Sequence, residues 1–247
     1  MKTYLAELHI HTVLSPCAEV EMIPPLIVQE ALDKGVHLIA ISDHNSSANV
    51  LAVQKAAQGT NLIVLPGIEI QTKEEVHILC LFDRIEQLID FQLLIDQHMP
   101  PLSNDPEHFG EQFVVDQSGE FIRRELQLLI TSVDLTIETV FEVVSELGGL
   151  AIPAHVDRKA YGLLAILGFI PTDIHVEAVE ISRNQSPTEV DRKFPQISGY
   201  PVLVGGDAHR LEEIVGANVF FIEEPTIEEI RKALRSEDNR SMYIRYI

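Results

Sequence analysis

The chain has no apolar run approaching the ~20 residues that a membrane-spanning helix needs, and its N-terminus carries neither the basic nor the apolar segment of a signal peptide. A cytoplasmic protein without a membrane partner is the expectation. Cysteine is nearly absent. Cys17 and Cys80 are the only two, too few for a disulfide framework, so each should serve as a small core residue or as a ligand. Basic residues are scarce beside acidic ones, 18 against 38, and the resulting net charge of −20 would repel a long polyanion unless the carboxylates were tied up by metal. Extended nucleic-acid binding is disfavoured on that ground, although most of the acidity is explained by a solvated surface that keeps the chain soluble. Also missing are a G-x-S-x-G elbow, a Walker A loop and a dinucleotide fingerprint, which removes the commonest rival chemistries. No internal repeat or low-complexity tract interrupts the chain.

What remains is a chain of 247 residues, 46% hydrophobic, long enough to bury a large core and to form one α/β barrel-sized domain across residues 1–247. Short β-branched runs alternate with amphipathic helical stretches, the pattern of βα units around a parallel sheet or barrel. Strands are expected at Tyr4–Thr12, Val36–Ser42, Leu62–Leu65, Val76–Phe82, Leu150–His155, Val176–Ser182, Pro201–Arg210 and Ala217–Ile222. Helices are expected at Leu26–Lys34, Ala48–Gln58, Ile85–Gln97, from Thr136 to Leu147, and from Thr226 to Arg235. Ile68–Ile70 and Val76–Phe82 could pair as a hairpin that brings Glu69 near His77. Between about residues 84 and 132 the pattern loosens into what reads as an insertion, after the fourth or fifth strand, with a hairpin near Gln112–Phe121.

Histidine is the residue present in unexpected positions. His9 and His11 lie two apart at the end of the first apolar run, and residues two apart in a strand face the same side. A lone histidine at a strand end is more often structural than a ligand. Here the arrangement recurs: His44, His77, His155 and His209 also sit at or beside the edges of apolar runs, as do Glu69 and Asp207. In a barrel such ends converge on one face, which would gather these eight side chains into one site. Mixed imidazole and carboxylate ligands suit zinc, manganese or iron, whereas magnesium or calcium favours oxygen ligands. Eight candidates suffice for two divalent ions, and a ninth or tenth would permit three. In the loop after His11, Cys17 and Glu19 compete for one further ligand position. Asp43, beside His44, is a candidate to orient an imidazole or to protonate a leaving group. His37, His98, His108 and His175 are expected to be bystanders.

In chain order, His9-x-His11, Ser42-Asp-His-Asn45, Gly67-Ile-Glu69, Val76-His-Ile78, Ala151-Ile-Pro-Ala-His155 and Gly206-Asp-Ala-His209 resemble the motifs of the PHP (polymerase and histidinol phosphatase) family. The likeness is nearest to its stand-alone TrpH-like members and covers residues 3 to 82 and about 135 to 222. The resemblance implies a distorted (β/α)7 TIM-like barrel with a site for two or three ions, usually manganese, zinc or iron, that hydrolyses phosphoesters. Two departures stand out. Relatives commonly place an aspartate or histidine after the first motif, where this chain has Cys17 and Glu19. TrpH-like relatives also tend to follow the Ala-His pair with proline, where this chain reads Val156-Asp157-Arg158. By that match Arg158 looks like a ligand for substrate phosphate, its guanidinium fork fitting two phosphate oxygens, with Arg183 and Arg210 weaker candidates.

The expected activity is hydrolysis of a phosphomonoester or phosphodiester of a small or short phosphorylated substrate, such as a nucleotide, a short oligonucleotide end or a phosphorylated metabolite. A hydroxide bridging the metal ions would attack phosphorus, so no serine or cysteine nucleophile is needed. The rival expectation is a catalytically weak metal-binding or regulatory module. It is disfavoured by the full ligand set and by a chain that ends soon after its last helical stretch.

Overall fold

The structure, a computed structural model, describes residues 1–245. The β-branched runs become β1 (Lys2–Ile10), β2 (Leu38–Ile41), β3 (Ile63–Gln71), β4 (His77–Leu81), β5 (Phe113–Val115), β6 (Phe121–Arg124), β7 (Leu150–Pro153), β8 (Val179–Ser182), β9 (Val202–Gly205), β10 (Asn218–Ile222) and β11 (Ser241–Ile244). Seven of them form a curled sheet in the order β11-β10-β1-β2-β3-β4-β7, while β8–β9 and β5–β6 are separate pairs. The β8–β9 pair lies between the two flanks of the curl. On one side the Val156 amide donates to the Glu180 carbonyl at 2.9 Å; on the other His11 N donates to Ala208 O at 2.9 Å and Ala208 N to His9 O at 3.0 Å.

The result is an α/β fold with a curled half-barrel sheet, and regular parallel βα repetition covers only part of it. β1–β2–β3 and β8–β9 run parallel, but β3–β4 and β4–β7 are antiparallel. The reason is local: residues 72–76 are too few for the crossover that a parallel return demands, so β4 must come back as a hairpin. β3 is also longer than expected, running through Pro66 and Gly67 to include Glu69. The sequence reading omits β11 and the short helix Pro187–Lys193.

Helices pack on both faces of the sheet, Ile137–Glu146 with the cluster that holds Ile39, Ile68 and Ile78 and Ile227–Arg235 with the one that holds Leu38, Leu65 and Leu79, and their sequence periodicity explains the packing. Ile137–Glu146 begins at Thr136, whose side chain accepts the Thr139 amide, and buries Ile137, Val140, Phe141 and Val144 on one stripe. Ile227–Arg235 repeats the device with Thr226 and Glu229, burying Ile227, Ile230, Ala233 and Leu234. No helix among the described residues is long and apolar enough to cross a membrane.

The presumed insertion divides in two. Its first part, the helix Ile85–His98, buries Leu88, Phe91 and Ile95 and brings the Phe91 ring 5.7 Å from Phe82, so it belongs to the core. The excursion proper starts near Met99 and carries the β5–β6 hairpin. It is stitched to the loops after β1 and β2. Asn49 Nδ2 donates to Phe113 O at 3.0 Å, and Asn45 Nδ2 donates to Leu129 O and Thr131 O, both at 2.7 Å. Asn45 has a φ of +50°, a left-handed conformation that asparagine tolerates better than most residues. Asn45→Ala should therefore destabilise the fold by about 2–4 kcal/mol through lost hydrogen bonds and strain. A thermal-unfolding midpoint unchanged from wild type would show that the excursion is not braced in this way.

Candidate metal centre

The curl delivers side chains from six strands to one mouth. His9 and His11 leave the end of β1, His44 follows β2, and Glu69 lies near the end of β3. His77 opens its strand instead of closing it. Because β4 is antiparallel to β3, pairing His77 with Gln71, the start of β4 lies where β3 ends. β7 reverses again, so His155 emerges at the same mouth, and Asp207 and His209 follow β9.

Glu69, fully buried, is the hub. Its carboxylate oxygens lie 2.9 Å from His44 Nδ1, 2.9 Å from His77 Nδ1, 3.2 Å from His155 Nε2, 3.3 Å from His9 Nε2 and 3.5 Å from His11 Nε2. Asp207 Oδ1 lies 3.1 Å from His11 Nε2 and 3.4 Å from His9 Nε2. Three overlapping sets have ligand atoms within 4.8 Å of one another: His9, His11, Glu69 and Asp207; His44, Glu69 and His77; and His11, His44 and His209.

The surroundings fix which nitrogens carry protons. His9 Nδ1 faces Glu180 Oε1 at 2.9 Å and donates to it, which in the neutral ring leaves Nε2 a bare lone pair for a cation or a proton to take. The Ser15 hydroxyl donates to Asp43 Oδ1 at 2.7 Å, so it accepts from His11 Nδ1 at 2.9 Å, and His11 Nε2 is bare as well. The two bare nitrogens sit 3.2 Å apart with carboxylate oxygens beside them. Such a group of acceptors repels itself unless a cation lies among them. Glu69 Oε2, His77 Nε2 and His155 Nδ1 are in addition buried without a hydrogen-bond partner. The donor set fits a divalent ion.

Electrostatics agree. Burial disfavours ionised Glu69, yet the imidazoles of His77, His9 and His44 hold its carboxyl well below the usual range. Burial likewise opposes ionised Asp207, and His9 and His11 outweigh it. Burial pushes His9 down, but Glu180, Glu69 and Asp207 together drive it well above its ordinary value. The cluster holds excess negative charge and accepts positive charge, as a proton or as a metal ion.

Of the rivals after β1, Cys17 meets the cluster and Glu19 does not. Cys17 Sγ is 3.0 Å from His209 Nε2; desolvation raises the thiol, but hydrogen bonds with His209 and His44 prevail and bring it down to about 6. Glu19 pairs with Arg210 at 2.9 Å, its side chain 46% exposed, which corrects its candidacy as a ligand. Of the two candidate roles of Asp43, its contacts fit the orienting one. Its carboxylate is fully buried and takes hydrogen bonds from Thr12 N, Thr12 Oγ1 and Ser15 Oγ, each at 2.7 Å. It holds Ser15 and through it His11.

Arg158 sits at the mouth, its guanidinium against Asp207 Oδ2 and its Nε 3.2 Å from Ser182 Oγ. Arg183 binds the Gly206 carbonyl and Glu213, so both weaker arginine candidates are engaged with other partners. His37, His98, His108 and His175 lie outside the three sets.

Glu180, Glu7 and Tyr161 escape the sequence reading. Glu180 and Glu7 are buried where β8 and β1 otherwise present apolar residues, and a charge inside a strand run was the available signal. Glu7 accepts the amides of Gly206 at 2.9 Å and Gly216 at 3.2 Å, which shapes the loop that carries Asp207. Burial, opposed by these amides, pushes its carboxyl up to about 7. The Tyr161 ring stacks on His77 with centroids 4.5 Å apart and 42% of the residue exposed; no periodicity announces it.

Comparison with known proteins places this arrangement. Among solved structures the chain is similar to the lesion-specific endonuclease Q from Pyrococcus furiosus, with 20% identity, a TM-score of 0.69, and coverage of 98% of this chain and 58% of that one. An endonuclease Q complex with a 27-mer duplex carrying an abasic lesion matches at 21% identity and a TM-score of 0.69, covering 97% of this chain and 58% of that one. A protein from Bifidobacterium adolescentis, assigned as a metal-dependent phosphoesterase, matches at 19% identity and a TM-score of 0.54, covering 83% and 87% respectively. The chain thus spans 58% of the length of the endonuclease Q chains, and these identities speak for the fold alone. No curated protein sequence matches significantly. The PHP domain profile matches residues 7–162, more than half of the chain, and with the strand-end cluster in place the chain belongs to the PHP domain family.

Proposed function

We propose that the protein is a metal-dependent phosphoesterase acting on a small or short phosphorylated substrate, such as a nucleotide, a short oligonucleotide end or a phosphorylated metabolite. The observation that carries the reading is the convergence of bare imidazole nitrogens on Glu69 and Asp207. In this reading β1, β2, β3, β4, β7, β8 and β9 act as the seven staves of a distorted barrel, each side chain at its mouth having one task. His9, His11, Glu69, Asp207, His77 and His155 hold two ions of the manganese, zinc or iron class. Bound there, such ions would lower the pKa of water to near 7 and neutralise charge on phosphate oxygens. Glu180 and Ser15 keep the His9 and His11 lone pairs aimed inward. Arg158 binds substrate phosphate, and the exposed Tyr161 ring offers an aromatic face beside it. The test is turnover of p-nitrophenyl phosphate and its bis-ester with added Mn²⁺, comparing wild type with His9→Ala. Activity on neither ester, despite bound metal, would favour the regulatory module.

Arg158→Ala should lower kcat/KM by about 10- to 100-fold, the worth of a charged hydrogen-bond pair, with metal content unchanged. Unaltered kinetics would return Arg158 to a merely structural partnership with Asp207.

The resemblance to endonuclease Q supports a second reading, incision of duplex DNA. The net charge of −20 weighs against it, as do the carboxylates already paired with Arg158, Arg183 and Arg210. Incubation of the metal-loaded protein with a duplex carrying an abasic site should leave the strand intact while short nucleotide esters turn over. Incision at the lesion would replace the small-substrate reading.

A further inference from the structure

We infer that Cys17, with His44 and His209 and beside the His11 ring, builds a sulfur-sided cation position that takes a thiophilic divalent ion such as zinc in preference to manganese. This inference rests on the metal-dependent reading above and adds to it a division of the centre into two halves of different chemistry.

The halves differ in donors. Around His9 the carboxylates of Glu69 and Asp207 lie among the imidazoles, a mixed set that manganese accepts. At the outer side three imidazoles approach one another, with the His11 and His209 rings stacked at 4.2 Å and the His44 ring tilted against His11 at 4.5 Å. His209 Nδ1 faces the Asp207 carbonyl at 2.9 Å and donates to it, which turns Nε2 toward Cys17 Sγ at 3.0 Å. The fully buried Glu69 Oε2, which has no hydrogen-bond partner, reaches this side too: it lies 2.9 Å from His44 Nδ1 and 3.5 Å from His11 Nε2.

The sulfur is held there by its backbone. Ser15 N donates to Thr12 O at 3.0 Å and Ala18 N to Ser15 O at 2.9 Å, which winds the loop into consecutive turns. Glu19 N donates to His209 O at 2.9 Å, tying the segment just after Cys17 to the residue its sulfur meets. Imidazole nitrogens joined by a thiolate form a donor set that zinc favours, and thiolate ligation discriminates against the harder manganese. Binding would displace the thiol proton to solvent.

The experiment strips the full chain with chelator and reloads wild type, Cys17→Ser and Cys17→Asp with Zn²⁺, Mn²⁺ or Co²⁺. Wild type loaded with cobalt should show a sulfur-to-cobalt charge-transfer band in the near ultraviolet that Cys17→Ser lacks. After dialysis wild type should retain one zinc ion more than Cys17→Ser, and Cys17→Asp should shift the outer position toward manganese. Zinc should also protect wild type from thiol alkylation, a readout that needs no variant to fold; Cys80 is buried and contributes little background. Bound cobalt without the band, or alkylation indifferent to zinc, would reduce Cys17 to a hydrogen-bond partner of His209 and overturn the inference while leaving the phosphoesterase reading intact. Wild type that binds no ion at all would overturn both.

Discussion

Glu69→Gln is expected to lower phosphoester turnover by on the order of 10³-fold, as the loss of several kcal/mol of transition-state charge stabilisation implies. Glutamine keeps the shape of the side chain and removes the charge around which five imidazoles are arranged. Divalent-ion content should fall in parallel. Circular dichroism should stay that of wild type, because β3 and its neighbours are held by a ladder and an apolar core that the substitution leaves alone. Metal analysis beside single-turnover kinetics checks the prediction. Full ion content with unimpaired turnover would mean that the hub of the cluster is not a ligand, and the proposed chemistry would have to be abandoned.

The second large effect is expected at Glu180, one step removed from the ions. Glu180→Ala should weaken divalent-ion affinity by about 10- to 100-fold, because an imidazole ligand that loses the acceptor on its other nitrogen also loses its tautomer and its orientation. Gly205→Ala should reach the same end from the opposite strand. A Cβ at Gly205 would lie 2.2 Å from Glu180 Cδ and 2.3 Å from its Oε2, so the buried carboxylate would be pushed from its place against His9 Nδ1. The two substitutions should therefore fail to add: with the carboxylate gone the new methyl has room, and the double variant should bind ions no more weakly than Glu180→Ala alone. Titration calorimetry with Zn²⁺ or Mn²⁺ on all three variants measures this coupling. Additive losses would show that Gly205 acts on something other than Glu180.

Both predictions turn on contacts of different legibility. His9 and His11 are readable because a strand has a period of two, and two imidazoles so spaced must share a face. The recurrence of histidine and carboxylate at the edges of apolar runs is readable for the same reason: edges of strands are recognisable even when the path between them is not. Direction is legible where a connection is short: residues 72–76 leave room only for a hairpin, the pairing of Ile68–Ile70 with Val76–Phe82 that the sequence offers, and His77 therefore opens at the mouth beside Glu69. Glu180 is harder to read. Its partner His9 is 171 residues away, and an alternating strand with one glutamate reads as half exposed until the opposite side of the ring closes over it.

The amino-acid order alone determined the secondary-structure rhythm, the capped helices and the set of residues able to hold metal, since propensity, periodicity and donor chemistry are local properties. Tertiary structure alone decided that Cys17 faces the cluster while Glu19 turns to Arg210, that Asp43 supports His11 through Ser15, and that buried Glu7 and Glu180 brace the seams. The physical reason is that a proton's position and a ligand's aim depend on what stands on the far side of each side chain, and for these residues that neighbour comes from another strand or from the turn of a loop.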